Sequence, residues 1–133
     1  MGDTFTWKPQ IRWSDMDVLG HVNNARIVTL IEEARINWLV GMADRDTIGQ
    51  PKLVAHLDLD YLHPVEHGPE LEIVLGIARV GSKSFTINAQ GFQDGTKCFV
   101  ANNVMVPIDQ ETLRPSGISE ADKEYLRTFL VEG

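Results

Sequence analysis

The hydrophobic residues between Ala25 and Trp38 recur with the period of an α-helix. Apolar side chains stand at i, i+3, i+4, i+7 and i+11, namely Ile27, Leu30, Ile31, Ala34 and Trp38. Most charged residues of the stretch lie off this stripe, among them Arg26, Glu32, Glu33 and Arg35. The spacing predicts an amphipathic helix with its apolar stripe on a core. Asn23 or Asn24 is predicted to cap the first turn, and Gly41 to end the helix.

After Pro51 the period changes to two, the period of a β-strand. Residues 53–62 alternate between apolar and mostly polar positions, which predicts a strand with one polar face. Leu71, Ile73, Leu75 and Ile77 alternate in the same way. Two strands with buried faces are therefore expected between residues 53 and 77.

Turn signals separate the remaining strands. Gly81-Ser82-Lys83 predicts a turn before a strand that starts near Phe85, and Asp94-Gly95 is a typical hairpin sequence. Residues 99–106 are predicted to form the next strand, so that all four strands make an antiparallel meander. Ser119 is predicted to cap a short terminal helix.

This order of elements predicts an α+β domain of two layers, with the long helix on one face of the sheet. A chain of 133 residues with 43% hydrophobic content is long enough for one core and too short for two, so residues 1–133 are assigned to a single domain. The uncovered face of the sheet needs a partner, and homodimerisation would protect it.

Composition excludes several classes of function. The formal charge of −7 argues against a nucleic-acid partner, whose phosphates require a basic face. The single cysteine, Cys98, rules out an intrachain disulfide framework, and no apolar run is long enough to span a bilayer. Residues 1–8 do not read as a secretory signal. A cytoplasmic protein without a membrane partner is expected.

Residues that can take part in catalysis are concentrated just before the predicted helix and at its start: Asp15, Asp17, Gly20, His21, Asn23 and Asn24. Backbone N–H groups in a first helical turn lack intrahelical partners and, with the helix dipole, favour a developing oxyanion. A loop can fold Asp17 back towards them, and His21 can orient a substrate or a water. The structural alternative is that these residues serve only as loop and helix caps.

The stretch resembles the opening motif of hotdog-fold thioesterases related to 4-hydroxybenzoyl-CoA thioesterase and the bacterial acyl-CoA thioesterases. In that motif an aromatic residue precedes Asp-x-Asp, a glycine and a helix, represented here by Trp13, Asp15-Met16-Asp17, Gly20 and the segment from Asn23. The resemblance continues through residues 54–65, 68–71 and 81–86. It implies a hotdog fold, in which an antiparallel sheet wraps around one long central helix, and a homodimer or homotetramer with active sites between protomers.

The resemblance also implies an acyl-CoA thioesterase and assigns roles to its residues. Asp17 takes the place of the catalytic carboxylate, as nucleophile or general base, and the backbone N–H of Asn24 or Asn23 that of the oxyanion donor. His21 is the second catalytic candidate. A thioester suits one carboxylate and one oxyanion hole, because its leaving thiolate needs little help from an acid. A helix glutamate, Glu32 or Glu33, is the alternative, although pairing on the helix surface explains these residues equally well.

The turn Ser82-Lys83-Ser84 is the candidate site for the phosphates of CoA, because amides, hydroxyls and a cation meet there. An ordinary polar hairpin is the alternative, and Arg79 and Lys97 are weaker candidates. No redox or metal cofactor is implied.

Two other functions remain open for such a fold. One is an acyl-CoA-binding or regulatory module without turnover, against which the presence of Asp17 argues. The other is an enoyl-CoA hydratase, whose motif resembles Asp-x-Asn-Pro-x-His. Here the segment from Asp17 to His21 is one residue shorter and lacks Asn-Pro.

Overall fold

The computed structural model describes residues 3–42, 44–45 and 47–131. Its helices and strands follow one another in the order β1 Phe5–Trp7, a 3-10 turn Trp13–Asp15, α1 Asn24–Val40, β2 Lys52–Tyr61, β3 Leu71–Val80, β4 Phe85–Gln93, β5 Thr96–Pro107 and α2 Glu120–Arg127. The predicted order of one long helix, a run of four strands and a short terminal helix is confirmed.

The five strands form one antiparallel sheet in the order β1-β3-β4-β5-β2. Strands β3, β4 and β5 make the predicted meander, and Asp94 and Gly95 connect two of them with φ angles of 48° and 78°. Two positive φ angles are what a tight hairpin turn of this kind requires.

The prediction that β2 belongs to the same meander was wrong. Strand β2 does not pair with β3 but lies at the far edge of the sheet, where Tyr61 faces Phe99 and Lys52 faces Pro107 of β5. Alternation along a strand reports which face is buried and carries no information about which neighbour the strand takes. As a consequence, the C-terminal end of β2 lies beside the start of β5.

Helix α1 packs its predicted stripe onto the concave face of the sheet. The side chain of Asn23 caps the helix by accepting a hydrogen bond from the N–H of Ala25 at 2.9 Å, and Gly41 follows the last helical residue. Every residue of the stripe is at most 6% exposed: Ile27, Leu30, Ile31, Ala34 and Trp38. They share one core with Leu71, Ile73, Leu75 and Ile77 of β3 and with Phe85, Ile87 and Ala89 of β4.

Arg35 departs from the predicted pattern. The sequence places it off the apolar stripe, yet the residue is 7% exposed, and its Nη1 donates a hydrogen bond to Asn103 Oδ1 at 2.8 Å. The buried face of α1 is therefore wider than the stripe, because the curved sheet reaches around the helix at β5.

Helix α2 docks against the segment that follows α1. Ser119 caps α2 as predicted, by accepting from the N–H of Asp122. The buried carboxylate of Asp122 accepts from the N–H and hydroxyl of Thr47 at 2.7 and 2.6 Å and from the N–H of Ile48 at 3.0 Å. Burial alone would raise the pKa of Asp122, but these hydrogen bonds outweigh it and lower the pKa below its ordinary value. The carboxylate thus joins α2 to the segment between α1 and β2.

Within the described ranges, no helix has both the length and the apolar content needed to cross a membrane.

Candidate active site

Asp17 lies in a tight loop directly before α1. Its Oδ1 accepts hydrogen bonds from the N–H of Leu19 at 2.8 Å and of His21 at 3.1 Å, while its own N–H donates to the carbonyl of His21 at 2.7 Å. Gly20 completes the turn with a φ of 78°, which a residue with a side chain rarely adopts. The loop therefore holds the carboxylate by one oxygen, and in the described part of the chain Oδ2 accepts no hydrogen bond.

Asp17, His21 and Asn24 line one cavity of about 350 Å³. Its wall is completed by the C-terminal end of β2 and the following loop. Apart from His63 and the hydroxyl of Tyr61, the remaining lining residues form an apolar floor: Leu19, Val22, Ile27, Tyr61, Leu62, His63, Pro64, Val65, Cys98 and Phe99. Small-molecule sites commonly combine an apolar lining with a few converging polar groups. The structure thus brings three of the predicted catalytic and substrate-binding residues together.

The first turn of α1 contributes Asn24 to the lining of this cavity. The N–H of Asn23 is already engaged, since it donates to the carbonyl of Asp15 at 2.8 Å, and Asn23 does not line the cavity. The N–H groups of Ala25 and Arg26 donate to the side chain and carbonyl of Asn23. Among the described residues, no acceptor takes the N–H of Asn24. Asn24 is therefore the better placed of the two predicted donors.

Tyr61 is a residue of the site that the sequence analysis missed. Its hydroxyl donates to the carbonyl of Asn24 at 2.7 Å and ties the end of β2 to the first turn of α1. Burial raises the pKa of the Tyr61 hydroxyl, which keeps it a donor. His63, two residues further, lines the same cavity and was missed as well. Both lie in the predicted strand or just beyond it, where nothing in the alternation distinguishes them.

Asp15 occupies a different environment from Asp17. It is 1% exposed and accepts from the Arg12 N–H at 2.8 Å, from Arg12 Nη2 at 3.3 Å and from Arg26 Nε at 2.6 Å. Burial by itself would raise the pKa of Asp15, but the hydrogen bonds from Arg12 and Arg26 lower it below its ordinary value. This carboxylate is engaged by both arginines and lines a different cavity from the one that Asp17 shares with His21 and Asn24.

The turn Ser82-Lys83-Ser84 lies at the opposite end of the sheet from the cavity. Phe85, which follows the turn, pairs with Met105, whereas Phe99 of the same strand β5 lines the cavity. Six residues of extended chain separate these positions, on the order of 20 Å. Ser82 and Lys83 are exposed, and the Ser82 carbonyl accepts from the N–H of Ile118 at 2.9 Å. Within one chain, the turn and the cavity are not brought together.

The cavity of Asp17 contains no cation of its own, because no lysine or arginine is among its lining residues. Cys98 contributes to the wall but is 1% exposed, and burial raises the pKa of its thiol. Such a thiol behaves as a small apolar side chain rather than as a nucleophile. In the described part of the chain, no three His, Cys, Asp or Glu side chains are grouped so that they can hold a metal ion.

These features define a hotdog-fold protein with a carboxylate and a helix N-terminus at one cavity. A comparison with known families identifies the family. The model of the thioesterase-like superfamily matches residues 11–126, and the chain belongs to that family. This confirms the predicted fold, the predicted family and the enzyme class of thioesterase.

Particular relatives agree with the assignment. The protein YsmA of Bacillus subtilis, which is uncharacterized, is 31% identical over 125 residues, covering 92% of this chain and 85% of YsmA. The structure of a predicted thioesterase from Bacillus stearothermophilus superposes with a TM-score of 0.87 at 25% identity, covering 98% of this chain and 99% of the other. A Thermus thermophilus thioesterase complexed with coenzyme A and Zn gives a TM-score of 0.81 at 28% identity, with 93% and 92% coverage.

Proposed function

We propose that the protein hydrolyses acyl-CoA thioesters to a free acid and CoA. One observation carries the proposal: Asp17 and Asn24, whose N–H no described residue accepts, line a single cavity that has an apolar floor. An apolar floor suits an acyl group, and the two polar groups suit the thioester carbonyl. The similar Thermus thermophilus thioesterase, whose structure contains coenzyme A, supports CoA as the carrier.

The reaction needs only the groups in the loop before α1 and at the first turn of that helix. The thioester carbonyl oxygen accepts the N–H of Asn24, which stabilises the negative charge that develops there. Asp17 either attacks the carbonyl carbon or removes a proton from the water that attacks it. On either route the C–S bond breaks, and CoA leaves as a thiolate that takes up the proton released by water. After direct attack, water hydrolyses the anhydride between the acyl group and Asp17, which restores the carboxylate, so that water supplies the oxygen lost with the thiolate on both routes. His21, at the cavity wall, orients the substrate or the water.

The oxygen of Asp17 that acts in this scheme is Oδ2. The other oxygen, Oδ1, accepts hydrogen bonds from the N–H groups of Leu19 and His21. These bonds orient the carboxylate and leave Oδ2 available for the reaction. Tyr61 acts as a positioning residue, because its hydrogen bond to the Asn24 carbonyl orients the peptide next to the oxyanion donor.

CoA recognition is proposed to use a second copy of the chain. The cavity lacks lysine and arginine, yet CoA carries several phosphate charges that need local donors in a protein of net charge −7. Ser82, Lys83 and Ser84 provide such donors, but they lie at the other end of the sheet of their own chain. The proposal is therefore a homodimer or homotetramer in which this turn of one protomer reaches the cavity of its partner.

The exposed surface around the cavity fits an oligomer. Several large apolar side chains beside it are exposed: Trp13 at 82%, Leu19 at 74% and Leu62 at 55%. Clusters of exposed apolar side chains commonly mark contact surfaces. A cytoplasmic location is proposed together with this assembly, since the single cysteine is a buried thiol.

A thiol-release assay over a panel of acyl-CoAs tests the function. Hydrolysis of one or more acyl-CoAs that depends on Asp17 supports the proposal and identifies the acyl group. Binding without thiol release would instead indicate an acyl-CoA-binding module, and water addition to an enoyl-CoA without thiol release would indicate a hydratase.

Lys83→Glu tests the role of the turn. It should raise KM for an acyl-CoA more than it lowers kcat, because a phosphate contact far from the thioester is equal in ground and transition states. Added salt should shrink the effect, since Lys83 is exposed. An acyl-pantetheine lacking the nucleotide is the control substrate and should respond little. An unchanged KM for the CoA ester would place the nucleotide elsewhere, with Arg79 and Lys97 next to test.

A further inference from the structure

Phe99 is the most deeply buried residue that lines the cavity of Asp17. It is 0% exposed, whereas Leu19, which lines the same cavity from the loop of Asp17, is 74% exposed. The cavity therefore extends from the exposed loop before α1 into the hydrophobic core, to which Phe99 belongs. The ring of Phe99, carried by β5, lies at the buried end of the cavity.

Gly91 provides the space in which the ring of Phe99 lies. The two residues are paired across β4 and β5, so they share one face of the sheet. A Cβ built on Gly91 would overlap the ring, which therefore lies directly against the backbone of β4. A glycine inside a strand often marks such a close approach of another group. The backbone of β4 thus fixes the position of the ring on one side.

Small side chains follow Phe99 along the same face of the sheet. Alternate residues of a strand share a face, and the next one on β5 is Ala101, which pairs with Ala89 of β4. Both alanines are completely buried. The pair after them is Asn103 and Ile87. On these two strands, the ring of Phe99 therefore separates the cavity from a stretch of small side chains.

We propose that the ring of Phe99 sets the length of the acyl group that the cavity accepts. This inference rests on the proposed function, since it places the thioester carbonyl at Asp17 and Asn24. From there the acyl chain follows the apolar floor into the core, and Phe99 is the wall that it meets. An apolar pocket of fixed depth gains free energy from each methylene that it buries and rejects the next one.

Thiol release from straight-chain acyl-CoAs of increasing length tests the proposal in Phe99→Leu. Leucine has a shorter side chain than phenylalanine, so the length limit should move to acyl groups that are about two or three methylene groups longer. For the first acyl group that the wild type rejects, kcat/KM should rise about tenfold, the value of one methylene in an apolar pocket. An unchanged length profile in the folded variant would overturn the proposal.

Phe85→Leu is the matched control. Phe85 is 1% exposed and belongs to the same core, but it pairs with Met105 at the other end of β4 and does not line the cavity. The same loss of buried volume should lower stability to a similar extent, while the length profile stays that of the wild type. An equal shift of the profile in both variants would mean that a loosened core, rather than the ring of Phe99, sets the limit, and it would overturn the proposal.

Gly91→Ala should change the profile in the opposite direction. The added methyl group displaces the ring of Phe99 from the backbone of β4, towards the space that the acyl chain uses. For the longest acyl group that the wild type hydrolyses well, kcat/KM should fall about tenfold, while short acyl groups are affected less. Should Phe99→Leu fail to fold, this variant decides alone, and a profile that is unchanged or shifted to longer chains would contradict the proposal.

S-Alkyl-CoA thioethers, which carry an alkyl chain but cannot be hydrolysed, separate this inference from the proposed function. Their dissociation constants, measured by calorimetry, should show the same shift in length between the wild type and Phe99→Leu. Binding with that shift but without thiol release from any acyl-CoA would refute hydrolysis and keep the role of Phe99. Thiol release with the same length profile in both proteins would keep hydrolysis and refute that role. If the wild type neither binds a thioether nor releases thiol, both proposals are refuted.

Discussion

Exchanging Asp17 for asparagine removes its basicity while leaving the loop that holds it intact. The Oδ1 of asparagine can accept the same hydrogen bonds from the N–H groups of Leu19 and His21, now at 2.8 and 3.1 Å. Only Oδ2 changes, from a carboxylate oxygen to an amide NH₂. We therefore expect a folded protein with a melting temperature close to that of the wild type, a change in stability below ~0.5 kcal/mol.

The catalytic loss should be large by comparison. A positioned general base contributes at least ~10²-fold to rate, so kcat/KM should fall by that factor, or ~2.7 kcal/mol of transition-state stabilisation. Thiol release from the best acyl-CoA of the panel measures it. Hydrolysis within about threefold of the wild type would refute the role of Asp17.

Asp15→Asn is the matched control, and it should show the opposite pattern. Its carboxylate loses charge-assisted hydrogen bonds to Arg12 and Arg26, whose side chains are 58% and 35% exposed and therefore partly screened. We expect a loss of about 1–2 kcal/mol in stability, or roughly 4–8 °C in melting temperature. Activity at a temperature where the variant is folded should fall less than in Asp17→Asn. Equal losses of activity in both variants would mean that the structure does not distinguish the two acids.

Three further changes probe the site and the packing of the fold. Tyr61→Phe removes the hydrogen bond to the Asn24 carbonyl and should lower kcat about three- to tenfold with little change in KM, and an unchanged kcat would reject its positioning role. Gly91→Ala places a Cβ against the ring of Phe99 and should cost about 1–3 kcal/mol in urea unfolding, whereas wild-type stability would show that the ring moves freely. Asp122 has a folded pKa below its ordinary 3.8, so its contribution to stability is present at neutral pH and is lost as the pH falls through the folded pKa. Asp122→Asn should therefore be less stable at pH 7 and less sensitive to acid, and an unaltered pH dependence in urea unfolding would contradict this.

The helices and strands that could be predicted are those that bury one face and leave the other face less buried. Helix α1 and strands β3 and β4 bury one face against a single core, so their apolar residues repeat with the period of the element. The hairpin at Asp94-Gly95 could be predicted because its two positive φ angles restrict the residues that fit. The motif around Asp17 predicts a site in the loop before α1, and the family match confirms the class of protein that the motif indicates.

Contacts between distant segments could not be predicted in this way. Tyr61 meets Asn24 across 37 positions of the chain, and Arg35 meets Asn103 across 68. Neither pair leaves a periodic signal, because each depends on where two elements cross in space. The distance between the turn at Lys83 and the cavity of Asp17 could not be predicted either, because it depends on the register between β4 and β5.

The amino-acid sequence by itself determined the element types, the capped entry to α1 and the group of residues from which the site is drawn, because local periodicity and backbone preferences act within a few residues. Only the tertiary structure decided that β2 lies beside β5 and that Asp17 rather than Asp15 lines the cavity. It also decided that the N–H of Asn24, unlike that of Asn23, has no acceptor among the described residues. The physical reason is that a hydrogen bond needs a donor and an acceptor, and a cavity needs walls from several segments. Such a feature exists only when those segments meet in space. The curvature of the sheet around α1 selects those partners from segments far apart in the chain.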